Sequence, residues 1–99
     1  MVFVQLLKSD VKDKRYKIIF YDENRKKIKT VNFGYDKGSA YIDHNDDIKK
    51  NAWIARHKVR GTFDDYKTPS SLSKWILWNK PTISASYNDY IKKFGLKKY

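Results

Sequence analysis

Near the start of the chain, three stretches alternate side by side at period two, the pattern of half-buried strands. From Val2 to Lys8, Val2, Val4 and Leu6 share one side while Phe3, Gln5 and Leu7 share the other. From Arg15 to Tyr21, Tyr16, Ile18 and Phe20 alternate against Lys17, Ile19 and Tyr21. From Lys27 to Phe33, Val31 and Phe33 are expected to face a core, with Lys27 and Lys29 continuing the same side toward solvent. The intervening segments SDVKDK and DENR have turn chemistry, so the three strands should form an antiparallel meander. Gly34 and Gly38 bracket a loop that needs backbone freedom, and Ser39 to Ile42 is the candidate for a short fourth strand.

The period then changes. From Asp43 to Arg60 the spacing predicts a helix, with Asp43, Asp46 and Asp47 at its start. Lys49, Lys50, Arg56, Lys58 and Arg60 follow, so the charge order matches the backbone dipole. Ile48, Ala52, Ala55 and Val59 form a narrow apolar stripe expected to pack on a neighbour, and Gly61 is a plausible stop. Thr68-Pro69 starts another helix with a hydroxyl cap and a proline in the first helical position. Its SSLSKWILWN stretch is apolar nearly all round, the mark of a buried helix, with Trp75 and Trp78 expected as core anchors. Pro81 ends it, and Thr82 or Ser84 caps a last helix. There Ile83, Tyr87, Tyr90, Ile91 and Phe94 keep a helical stripe, and Lys92 and Lys93 suit the end of the dipole. Gly95 suits a left-handed cap, with Leu96 folding back on Ile91 and a loose basic tail beyond. The expectation is α+β: an N-terminal antiparallel meander of three to four strands, then three helices packed on one face. Residues 1–99 read as a single basic domain.

Composition narrows the class. Aromatics at 16% and hydrophobics at 40% argue for a packed core despite 33% charged residues. Cysteine is absent, which excludes disulfides, thiolate metal sites and cysteine nucleophiles. MVFVQLLK is too short and lacks a basic lead for a signal peptide, and no apolar run approaches a membrane span. The expectation is therefore a soluble protein of the cell interior, or one packed in a particle assembled there, with no membrane partner and not secreted.

The net charge of +11 changes the picture most, because a compact body so charged seeks anionic partners. Lys49, Lys50, Arg56 and Arg60 share one side of the Asp43–Arg60 helix with Trp53 and His57 among them. Lys49 to Arg60 spans roughly 16 Å at helical rise, enough to follow several phosphates. The cations would neutralise phosphates while Trp53 and His57 supply stacking or sugar contacts. Arg25, Lys26 and Lys27 at the DENR turn would add support.

Candidates for chemistry are weaker. Asp43, His44, Asp46 and Asp47 have the residue types of a magnesium site, yet aspartates here also serve as caps and dipole partners. Arg56-His57, Arg60 and Tyr66 match tyrosine-based strand-transfer enzymes by type only, in a chain far too short for them. Neither a glycine-rich phosphate loop nor a GxSxG elbow occurs. A non-enzymatic protein without metal or cofactor is expected.

Several residues carry a resemblance. Phe33-Gly34, Tyr41 with His44, Ile54 with Arg56-His57, and Trp75 with Leu77 to Thr82 give the pattern FG, Tyr-x-x-His, Ile-x-Arg-His and Trp-x-Leu-Trp-Asn-Lys-Pro-Thr. This resembles a family of small basic proteins of large nucleocytoplasmic DNA viruses of the mimivirus and phycodnavirus type, over roughly Tyr16 to Phe94. The resemblance implies a viral origin and a place in host cytoplasm, viral factory or virion; it brings no catalytic residues. Together these readings point to sequence-nonspecific binding of nucleic acid, DNA ahead of RNA, for genome coating or compaction. The rivals are a virion structural or scaffold protein on acidic protein surfaces and a small metal-dependent nuclease. Oligomeric state stays open.

Overall fold

The computed structural model describes residues 1–58 and 63–99. The three alternating stretches are strands β1 (Phe3–Lys8), β2 (Tyr16–Tyr21) and β3 (Lys27–Phe33). Both pairings are antiparallel, with Leu6 opposite Ile18 and Ile18 opposite Val31. This register gathers Val4, Ile18, Phe20, Val31 and Phe33, all buried, on one face. Near the β2–β3 turn, Phe20 faces Lys29 but Tyr21 faces Lys27, so Ile28 is an extra residue in β3. Alternation then keeps Lys29 on the core side and moves Lys27 to the opposite face, correcting the shared side expected for them. In the turn, Arg25 takes a left-handed conformation (φ 63°). The Asp22 carboxylate there accepts the Asn24 and Lys26 N–H groups.

The fourth strand is not Ser39 to Ile42. It is β4 (Lys97–Lys98), parallel to β1, giving the order β3-β2-β1-β4. The tail expected to be loose is therefore docked: Lys97 N–H donates to the Val2 carbonyl and Tyr99 N–H to that of Val4. Ser39 to Ile42 instead leads into a helical turn, α1 (Tyr41–His44). The Asp43 carboxylate accepts the Ala40 N–H at 2.7 Å, a local bond that closes the turn before a strand can form.

The helix expected from Asp43 is also divided. Asn45 is left-handed (φ 53°), and its side-chain amide donates to the Tyr41 and Pro81 carbonyls. Asp46 then accepts the Ile48 and Lys49 N–H groups, and α2 (Asp47–Lys58) begins. Val59, Arg60 and Gly61, which carried parts of that expectation, lie outside the described residues.

Thr68 caps α3 (Pro69–Leu72) by accepting the Ser71 N–H, as the Thr-Pro pair implied. The helix widens at once into a π segment, Ser73–Leu77, closed by Trp78 N–H donating to the Ser73 carbonyl at 3.1 Å. The wider turn directs Leu72, Ile76 and Leu77 into the core and leaves Trp75 and Trp78 half-buried at its margin. The deepest anchors of this element are thus aliphatic, a correction to the role expected of the two indoles. In α4 (Ile83–Phe94), Thr82 is the cap and Tyr90 is fully buried, its hydroxyl donating to the Tyr66 carbonyl. Gly95 (φ 63°) and the Leu96 N–H bond to the Ile91 carbonyl end the helix as expected. α1, α3, the π segment and α4 pack on one face of the sheet, and the α+β class stands.

Candidate nucleic-acid interface

The geometry of α2 differs from its expected face. Ile48 is 82% exposed, and Ala52 and Ala55 are exposed as well. Lys50, Trp53, Ile54 and His57 turn inward instead, all half-buried. Area explains the rotation: one indole buries far more surface than two alanine methyls. Trp53 stacks on His57 (ring centroids 4.0 Å apart, 18° between planes) and on Trp78 (5.2 Å, 11°). His57 Nδ1 donates to the Trp53 carbonyl at 2.8 Å, a bond that assigns its tautomer. Lys50 donates to the Asn79 carbonyl at 2.7 Å with its ammonium 4.6 Å from the centre of the Tyr41 ring.

These contacts divide the candidate residues. Trp53 and His57 form a wall already stacked within the protein, and Lys50 is committed to a backbone carbonyl. Lys49 and Arg56 are exposed and have no carboxylate partner among the described residues. Arg60 lies outside the described residues. Arg25, Lys26 and Lys27 sit at the far end of the sheet, since Tyr21 pairs with Lys27 at one end of β3 and Tyr16 with Phe33 at the other. Six strand steps put these two ends about 20 Å apart. The structure does not bring the turn cations to α2.

Arg56 occupies the ridge between two hollows. The larger is a cleft of about 800 Å³, walled by Trp53, His57 and Trp78 and edged by Lys14, Arg15 and Tyr35. Ser39, Ser70 and Ser73 add hydroxyls to its lining. The smaller, about 280 Å³, lies between Lys49, Arg56, His44 and Trp78. Among the described residues no carboxylate lines either one. Both are therefore cationic and aromatic. Lys14, Arg15, Tyr35 and Ser39 come from loops, and Ser70 and Ser73 from α3 and the π segment, segments far apart in sequence with no spacing signal to foretell their meeting. Trp78 was read as a core anchor; it packs half-buried against the core and forms cleft wall as well.

The acidic cluster has other partners. Arg15 donates two hydrogen bonds of 2.5 Å to Asp43, tying the start of β2 to α1. That guanidinium holds the Asp43 carboxyl below the usual carboxylate range, and the same bonds raise Arg15. Asp46 caps α2, Asp47 accepts the Tyr41 hydroxyl, and His44 Nδ1 accepts the Asp46 N–H. Among the described residues no three histidine or acidic side chains gather as a metal site would need. No described helix is long and apolar enough to cross a membrane.

No curated protein and no solved structure matches the chain. A family model described as a family of unknown function, DUF5754, matches residues 4–57. The match takes in the meander, α1 and most of α2, and leaves the Trp75–Thr82 segment beyond it. Since it spans more than half of the chain, the protein belongs to the family of unknown function DUF5754.

Proposed function

We propose that the protein is a non-enzymatic, sequence-nonspecific nucleic-acid-binding protein of a large DNA virus, acting in genome coating or compaction or in the viral factory. The observation that supports it best is Arg56: exposed, without a carboxylate partner among the described residues, and set between two hollows that no described carboxylate lines. Lys49 and Lys14 extend the positive surface on either side. Such cations bind phosphates and release counterions. The chain's net charge of +11 adds long-range attraction for a polyanion.

The test is a gel-shift against duplex and single strands repeated across salt. About three phosphates neutralised by Lys14, Lys49 and Arg56 give a log–log slope near −2.7 on duplex, and Arg56→Ala should lower its magnitude by about 0.9 for every sequence alike. A flat salt response, or no binding at low salt, overturns the proposal. A second reading, a virion structural or scaffold protein, draws on the exposed Ile48, Ala52 and Ala55 stripe, which suits a protein neighbour. Failure to shift any oligonucleotide, together with self-association, would favour it.

A further inference from the structure

The sheet has a second face that none of the described helices covers. The register places Phe3, Tyr21 and Lys27 in one row across it, then Gln5, Ile19 and Thr30, then Leu7, Lys17 and Asn32. None of these side chains is buried, in contrast to the opposite face. Lys97 pairs with Phe3 and joins this side, while Lys98 reaches the Tyr87 ring on the helix side. Aromatic and cationic groups collect at one corner. Tyr21 stacks on Tyr99 (3.9 Å, 19°) and its hydroxyl donates to Gln5 at 2.9 Å. The Arg25 guanidinium lies 4.8 Å from the Phe3 ring centre and 5.6 Å from that of Tyr99, whose residue is half-exposed.

We propose that this open face is a second nucleic-acid surface and that its occupant is an unpaired strand. Bases stack on Tyr99 and Phe3, and phosphates meet Arg25, Lys27 and Lys97. In a duplex the flat faces of the bases are turned to one another, so ring platforms are open only to single-stranded segments. The charges agree. Lys17 is held by Asp10 at 3.4 Å, and the Asp22 carboxylate is engaged with backbone N–H groups of its own turn. Glu23 is the remaining acid of that turn, against Arg25, Lys27 and Lys97 on the same corner. An anionic strand is thus favoured over a basic or uncharged apolar partner. The proposal rests on the reading that the protein binds nucleic acid, but on a surface separate from Arg56.

Fluorescence anisotropy with labelled oligo(dT), oligo(U) and a duplex of equal length tests it. Arg25→Asn removes the charge with a residue that tolerates the left-handed conformation, and Tyr99→Ala removes the half-exposed ring. Each should weaken single-strand binding, the pair by about tenfold, while duplex affinity stays within about twofold. Arg56→Ala should weaken duplex binding. An equal loss on oligo(dT) and oligo(U) supports a platform blind to both the sugar and the thymine methyl, and an unequal one a platform that reads one of them. Amide shifts at Ile19, Tyr21 and Lys97 on adding oligo(dT) to the unaltered protein would support the proposal independently of any variant. Duplex binding that persists while single-strand affinity ignores both substitutions, or amide shifts confined to α2, overturns the platform and leaves the function standing. Binding of neither form overturns both. Self-association abolished by Tyr99→Ala with oligonucleotide binding intact also overturns the platform.

Discussion

A methyl group at Gly34 would lie 2.8 Å from Leu77 Cδ1 and 3.2 Å from Arg15 Cβ, on a backbone with φ of +80°. Left-handed strain and overpacking add, so Gly34→Ala should cost about 3 kcal/mol, measured by urea denaturation. Gly38 does not have positive φ, so of the two bracketing glycines Gly34 carries the conformational demand. Titration gives a second prediction at this scale. The Arg15 bond lowers Asp43 in the fold, so its contribution is present above the ordinary carboxylate value and is lost as pH falls through the lower folded one. Thermal stability should decline below about pH 4, and Asp43→Asn should lower it at neutral pH while flattening that decline. The alkaline side runs the other way. Burial pushes the Tyr87 hydroxyl up to about 12, and Tyr90 moves in the same direction. Unfolded tyrosine ionises from about pH 10, so stability should fall as pH rises beyond that, less steeply in Tyr87→Phe.

Among the elements, α2 is the one whose orientation a helical wheel misjudges. A wheel weights Ile48 and two alanines as a face, but docking is decided by the area each side chain removes from water. Ile48→Ala should therefore change stability by less than about 0.5 kcal/mol. Trp53→Ala, which removes the stack on His57 and Trp78, should cost about 2–3 kcal/mol; urea titration of the two variants checks the contrast. The caps were legible, because the bonds made at Thr68, Thr82 and Gly95 all reach partners within a few residues. The break at Asn45 was not, because its amide reaches Pro81, 36 positions away. The π segment hid for a similar reason: its apolar run is explained by α4 and the shared core around it, not by its own period.

At the scale of the molecule, 22 lysines and arginines face 11 acids, and three ion pairs form among the described residues. The remaining charge repels itself through a small body. Screening weakens that repulsion, so the melting temperature should rise as sodium chloride increases from about 10 to 150 mM, where the Debye length falls to about 8 Å. Differential scanning calorimetry at constant pH checks this. The candidate surface follows from the same imbalance: its positive sign was readable from counts, but its location was not. Lys49 and Arg56 kept no carboxylate partner among the described residues, while Lys50 was drawn onto Asn79 and the Arg25 turn was carried to the other end of the sheet.

Strand alternation, helix spacing and caps are short-range, so the chain alone dictated the α+β class, three strands, the Thr68 start, a last helix starting at Thr82 or Ser84, and the positive sign of the surface. Assembly of distant segments settled the rest: β4 beside β1, the inward turn of Trp53, the bulge that moves Lys27 across the sheet, and the loops that complete the cleft. Each depends on which groups lose water together or which distant carbonyl accepts a donor. No pattern within one segment records that competition.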